Sequence, residues 1–297
     1  MASQYSTILT SDSSTTVNQY DVIKYSDYES LKTKYETALS NYNAMYSKYN
    51  TLYEQSYIYF NPGINLRVEG GGIIFFDWKY GFTGATTTGS EGCAVAADTT
   101  SDLGDYYYDV SSRTVKCTRV GAKHRFYVVS ESDLTSSTVK WDTSNTYSGP
   151  YRLDVVTSTG FGSGKSNTTT LCNNLTDTNS FWPTVKTARA TNPAGHDLVS
   201  NDGALDTRWF VPSKDELYVL NAMQYKDSNY RPSGIPQLSK RYASKTLSIR
   251  YWSSSQHLKS YSDGSYWTYV WVGGLSSGAM SQFQSDFGNY VRLCRTF

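Results

Sequence analysis

The sequence predicts a mixed α+β chain in which a long amphipathic helix precedes one globular domain. Three observations carry that class. Between Tyr28 and Leu52, aromatic and apolar residues recur with a heptad period, as in a coiled-coil helix. Beyond Pro62-Gly63, short apolar runs alternate with clusters of Gly, Ser, Thr and Asp, which read as strands and turns. Ser213, with Glu216 three residues later, forms a capping box that opens a helix inside the domain.

The expected boundaries are a polar segment over 1–24, the coiled-coil helix over 25–57 and the domain over 58–297. In the helix, Tyr28, Tyr35, Tyr42 and Tyr49 hold one seam position and Leu31, Ala38, Met45 and Leu52 the other. Lys32, Lys34, Glu36 and Lys48 fall outside the seam, and neither Gly nor Pro interrupts it. One helix cannot bury such a stripe alone, so these eight residues are the expected oligomerisation contacts. A parallel homotrimer is favoured by analogy with fibrous virion proteins; packing against the chain's own domain is the alternative. A coiled coil this short and polar is marginal by itself, so further trimer contacts are expected elsewhere.

Within the domain, Ile73-Ile74-Phe75-Phe76 follows Gly70-Gly71-Gly72 and reads as a buried strand. Gly81–Asp105 reads as loops, Val110–Arg119 and His124–Ser130 as strands, Trp141–Tyr151 as loop, and Arg152–Thr157 as a short strand. A helix broken by Pro183 is expected within Asn173–Thr191. After the capping box, Leu217, Leu220 and Asn221 continue at helical spacing, and from Tyr251 the pattern returns to strands and turns.

Composition narrows the function classes. The 297 residues carry a net charge of +1 with no basic tract, which argues against a nucleic-acid partner. A hydrophobic fraction of 38% with 18% charged residues excludes a charge-driven disordered chain. The 27 tyrosines beside abundant Ser, Thr, Asn and Gly suit either a recognition surface or a Tyr-rich β protein. No stretch reaches the roughly 20 apolar residues of a membrane span, so membrane insertion is not expected. Met1–Tyr20 lacks the apolar centre of a secretion signal; the expectation is a cytosolic chain or one that leaves its cell inside a virion. Cys93, Cys117, Cys172 and Cys294 form no CxxC pair and His124, His196 and His257 show no ligand spacing, so neither metal nor cofactor is expected. The cysteines read as small buried hydrophobes, with disulfides as the alternative.

Several motifs imitate chemistry. Gly160-Phe161-Gly162-Ser163-Gly164-Lys165-Ser166 resembles a phosphate-binding loop, but the required first glycine falls at Thr159. Asn167-Thr168-Thr169-Thr170 is also a poor helix start, so a flexible surface loop is expected there. Asp215 and Glu216 are adjacent and point to different helix faces, and Glu216 has a capping role available. No catalytic constellation emerges, and an enzyme is not expected. Asn167-Thr168-Thr169 and Asn174-Leu175-Thr176 match the glycosylation sequon, which carries little weight without a secretory signal.

Three segments form an ordered signature: Trp209-Phe210-Val211-Pro212-Ser213-Lys214-Asp215-Glu216-Leu217, Tyr251-Trp252-Ser253-Ser254-Ser255, and Tyr290-Val291-Arg292-Leu293-Cys294-Arg295. The signature resembles C-type-lectin-fold domains of the formylglycine-generating-enzyme type, in their short non-enzymatic bacterial and phage form. Gly71–Phe76 is similar to that domain's opening strand, and Gly162-x-Gly164-Lys165-x-Asn167-Thr168 to its GxGKxNT element. The likeness covers about residues 66–297, with 84–123 matching less well as a possible insertion. Leu293-Cys294 departs from the usual small or proline-valine step, and the paired redox cysteines of the enzymatic branch are missing. Calcium-ligand motifs of sugar-binding lectins are also missing, so calcium-dependent sugar binding is not implied.

The resemblance implies a C-type-lectin-like domain used as the variable protein of a diversity-generating retroelement. Its segment of about 250–291 would bind the ligand. It implies a phage tail or fibre adhesin that binds a host-surface receptor and contacts other virion proteins through its N-terminal segment. A cell-displayed bacterial binding protein or a virion decoration protein is the alternative. Expected ligand contacts are His257, Ser260, Tyr261, Asp263, Ser265, Tyr266 and Tyr269, with Ser281, Ser285 and Asp286. All are reachable by adenine rewriting of AAC or AAT codons; Trp267, Trp271 and Lys259 are not. Trp209, Trp252 and Val291 are expected in the core. A solvated Ser/Tyr loop without a ligand is the bland alternative.

Overall fold

The computed structural model describes residues 25–60, 63–83, 93–119, 121–142, 157–175, 180–190, 208–224, 250–260, 266–274 and 280–297. It is mixed α+β and divides into two compact units, the first ending at Tyr53 and the second running Glu54–Phe297.

Helix α1 (Tyr25–Phe60) extends three residues past the expected end. The lack of Gly and Pro permits it, and the Thr33 and Thr37 hydroxyls turn back onto the carbonyls of Glu29 and Thr33. Its seam side chains are exposed, from Tyr28 at 52% to Tyr35 at 68%.

The second unit is built on two antiparallel three-stranded sheets. In the first, β6 (Phe126–Val129) lies between β1 (Ile73–Asp77) and β12 (Cys294–Thr296), so opening and closing strands share one sheet. Every residue of β1 and β6 is buried, which is why their sequences are continuous apolar runs rather than alternations. Asp77 is the exception in kind. Arg125 donates to both its oxygens at 2.9 Å, and the amides of Gly63 and Lys79 add further donors, as a buried carboxylate requires.

The second sheet orders β10 (Met280–Gln284), β9 (Tyr266–Gly274) and β8 (Arg250–Ser260). Three two-stranded ribbons complete the strands: β2 (Phe82–Thr83) with β3 (Ala94–Val95), β4 (Asp105–Asp109) with β5 (Thr114–Arg119), and β7 (Val139–Lys140) with β11 (Gly288–Asn289). Helices α2 (Gly164–Asn174), α3 (Trp182–Ala190) and α4 (Lys214–Gln224) lie between β7 and β8 in sequence.

Apolar burial forms two clusters. One gathers β1, β6, the inner face of α4 and Tyr251. The other packs Trp141, Trp182, Trp252, Val270, Val272 and Val291 with α2 and α3. Trp209, Trp252 and Val291 are thus core residues, as expected. All four cysteines are free; Cys93, Cys172 and Cys294 are buried and Cys117 half-buried, and burial pushes the Cys172 thiol up to about 11.

Several expectations are corrected. The stretch read as a flexible loop from Gly160 becomes helix α2 at Gly164, because Asn167, Thr168 and Leu171 bury one face and tertiary packing overrides weak propensity. Pro183 does not break a helix; it lies in the first turn of α3, where its missing N–H costs nothing. The Val110–Arg119 strand is shorter, with a turn over 110–113 and β4 added before it. Val115 and Tyr106 place the hairpin's inward side chains in the core. The strand expected at Arg152–Thr157 lies outside the described residues except for Thr157, which is not in a strand. Among the described residues, no helix is long and apolar enough to cross a membrane.

Candidate ligand-binding face

The site begins from a buried carboxyl. Glu216 is fully buried in the first turn of α4. Its carboxylate accepts from the Ser213 amide at 2.7 Å and the Gly162 amide at 3.0 Å, with the Gly164 amide as a further donor. Ser213 reciprocates, its hydroxyl oxygen accepting from the Glu216 amide at 3.3 Å, which completes the capping box read from the sequence. A Cβ on Gly164 would lie 2.1 Å from Glu216 Oε2, so no larger residue fits. The glycines that imitate a phosphate loop therefore wrap an internal carboxylate. Burial pushes that carboxyl up to about 7, against the pull of its amide donors.

The adjacent amides of α4 are also engaged. Lys214 N donates to Ser255 Oγ at 2.9 Å and Asp215 N to the Thr159 carbonyl at 3.0 Å. Ser253-Ser254-Ser255 form the register break of β8, between Trp252 and Gln256, and all three are buried. Ser254 N donates to the Pro212 carbonyl at 2.8 Å, and Ser255 Oγ donates to the Ser158 carbonyl at 2.7 Å. Asn167 spends its side chain on Ser158 and on Ser254 Oγ. The first sequon asparagine is thus buried and committed. The serine run is a polar joint with its groups satisfied, as burial demands.

The last motif supplies two clamps. Arg292 donates to Asp133 at 2.7 and 2.9 Å, with Tyr251 Oη also donating to Asp133 at 3.0 Å. Arg295 donates to the carbonyls of Glu69 and Gly71 at 2.8 Å, sandwiched by the rings of Trp209 and Phe297. Burial lowers its guanidinium to about 10. Phe210 pairs with Cys294, and Tyr251 with Tyr290. The separate signature segments thus meet at one hydrogen-bonded hub.

From that hub the β8–β9–β10 sheet extends. Its inner face carries Trp252, Val270 and Val272 into the core. The other face places His257 opposite Tyr269, and Tyr269 opposite Gln284, in one row across three strands. Two residues on, Trp271 lies opposite Gln282 on the same face. The Trp271 ring is covered by Lys214 Nζ at 4.9 Å and approached by His257 at 6.1 Å. His257 is exposed; Tyr269, Gln282 and Gln284 are half-buried. At Gly273 the face closes against α4, where an added Cβ would strike the Asn221 amide at 1.9 Å.

The expected contacts distribute unevenly. His257 and Tyr269 are brought together as cross-strand partners. Ser260 and Tyr266 pair at the far end of the two strands. Tyr261, Asp263 and Ser265 lie outside the described residues. Ser281 is exposed but pairs with Val272, in a row that belongs to the inner face. Ser285 is corrected: it is buried, and its carbonyl accepts from the amides of Trp141 and Asp142, so it serves the fold and not the surface. Asp286 is half-buried, with one carboxylate oxygen enclosed and without a protein partner. Sequence reasoning missed Lys214, Gln282 and Gln284. The strand alternation of β10 could have flagged the glutamines, but only the fold brings the start of α4 over Trp271. Among the described residues, no group of three or more His, Cys, Asp or Glu side chains is placed to hold a metal. Comparison with protein-family models, curated proteins and solved structures finds no match to this chain.

Proposed function

We propose that the second unit is a C-type-lectin-like, non-enzymatic binding domain that docks a host-surface receptor on the outer face of β8–β9–β10. In this reading the chain is the variable protein of a diversity-generating retroelement, carried on a phage tail or fibre. One observation carries it: the row His257–Tyr269–Gln284 lies on a sheet whose opposite face is pinned into the core. An aromatic ring among small polar and amide groups, held rigid from behind, offers contact area and adaptable hydrogen bonds at low entropic cost. Convergence of all the signature segments on one hub supports treating them as parts of one domain. Glu216, the buried carboxyl with the most altered environment, is engaged by internal donors, which favours structural over catalytic use. Gln282, Gln284 and Trp271 are not reachable by rewriting AAC or AAT codons, so they form the constant floor and His257 and Tyr269 the variable part.

The test is the gene in many isolates. Variation concentrated at His257, Ser260, Tyr261, Asp263, Ser265, Tyr266 and Tyr269, with Trp252 and Arg292 constant, is expected. Changes spread evenly along the chain overturn the reading. Phage structural genes on either side place the protein in a virion; their absence beside a cell-surface locus moves it to the bacterial envelope.

A further inference from the structure

We infer that Lys214 is the positioning residue of the outer sheet face: it fastens β8 through its backbone, holds the Trp271 ring through its ammonium, and so sets where His257 stands. The inference rests on the reading of β8–β9–β10 as a binding face. Lys214 is out of place by local rules. It is the first residue of α4, at the positive end of the helix dipole, where an anion is favoured and a cation is not. It is also only 8% exposed, although lysine is rarely buried. Local rules broken in this way mark a position set by function or by distant contacts.

Its contacts lead to the face. The Lys214 amide donates to Ser255 Oγ at 2.9 Å, at the register break of β8 and two residues before His257 on the same strand. Its Nζ lies 4.9 Å from the centre of the Trp271 ring and 3.6 Å from Asp215 Oδ1. The capping box fixes the backbone from which this side chain departs, so the ammonium reaches the ring from a rigid base. The ring needs a hold. Strand alternation puts Trp271 on the outer face, opposite Gln282, yet it is 9% exposed. A desolvated cation over an indole is an attractive contact that keeps so large a ring in one place. His257 stands on the diagonal of the same strand pair, its ring 6.1 Å from the indole at 63°, an edge contact suited to aromatic rings. One residue thus governs two supports of His257: the strand that carries it and the ring it leans on.

Lys214→Met keeps the length of the side chain and the amide bond to Ser255, removes the charge and relieves the unfavourable dipole contact, so the variant is expected to fold. With histidine and tryptophan rings selectively labelled, the parent is expected to show a nuclear Overhauser contact between His257 and Trp271. Lys214→Met is expected to lose it, and Lys214→Arg, whose guanidinium also stacks on aromatic faces, to retain it. A contact that survives Lys214→Met, or is missing from the parent, overturns the inference. Adsorption of the full chain to intact host cells is the second measurement. Lys214→Met and Trp271→Leu are each expected to weaken it about tenfold, the scale of a desolvated cation–π contact, and the double variant no further than either alone. Losses that multiply overturn the inference, because the two residues then act separately. Parental adsorption by Lys214→Met while His257→Ala is weakened overturns it as well. Parental adsorption by every variant, His257→Ala included, means that the binding-face reading has failed, and the Overhauser contact then decides the role of Lys214 by itself.

Discussion

Replacing Glu216 with Gln tests whether burial or the surrounding amides govern the core of the hub. The carboxyl is pushed from an ordinary 4.5 up to about 7, with burial the largest cause. The folded chain therefore keeps this proton to higher pH than the unfolded chain does. Its stabilising contribution is complete below about pH 4.5 and is lost as pH rises through about 7, roughly 3 kcal/mol in all. Glutamine cannot ionise and lacks that loss. It carries a different cost: its amide nitrogen must face either the Ser213 or the Gly162 amide, donor against donor, at about 1–3 kcal/mol. Urea unfolding followed by tryptophan fluorescence at pH 5 and pH 8 measures both. The expected outcome is a variant less stable than the parent at pH 5 whose deficit closes by pH 8. The difference between the two proteins isolates this group from other titrating carboxylates. A deficit that grows with pH instead means the amides hold the carboxylate ionised, and the reasoning from burial is refuted.

Other substitutions separate fold from face. Trp252→Ala empties a fully buried site and is expected to cost about 3–5 kcal/mol in denaturant unfolding. If stability survived while binding vanished, the inner and outer faces would be inverted. Arg292→Ala removes the guanidinium that pairs with the enclosed Asp133 carboxylate, and a loss of about 3–5 kcal/mol is expected by the same measurement. His257→Ala is expected to change stability by less than about 0.5 kcal/mol, since the side chain is exposed. In an adsorption assay on host cells it is expected to weaken attachment; unchanged attachment would remove His257 from the face.

Local signals were enough wherever one segment satisfied its own chemistry. The heptads of α1, the apolar run of β1 and the capping box of α4 could all be read from neighbours in sequence. Each depends on periodicity or on a short-range hydrogen bond, which the order of residues encodes directly. The glycine-rich stretch at 160–164 could not be read this way. Its sequence offers amides for an anion, but only the tertiary structure shows that the anion is Glu216, more than fifty residues away. The same holds for α2, whose Thr-rich sequence is a weak helix former until Asn167, Thr168 and Leu171 find buried partners. Alternation along β9 puts Val270 and Val272 on one face and Trp271 on the other, yet Trp271 is also covered, because Lys214 arrives from another element. Ser285 failed for the matching reason: its composition suits a surface, but Trp141 and Asp142 draw its carbonyl inward. Sequence alone determined α1, β1 and the start of α4, the segments whose signal lies in their own order of residues. Which polar groups meet, and so which serines and glycines build the hub rather than the face, was decided only when distant segments converged, because buried hydrogen bonds are satisfied across space and leave no period in the sequence.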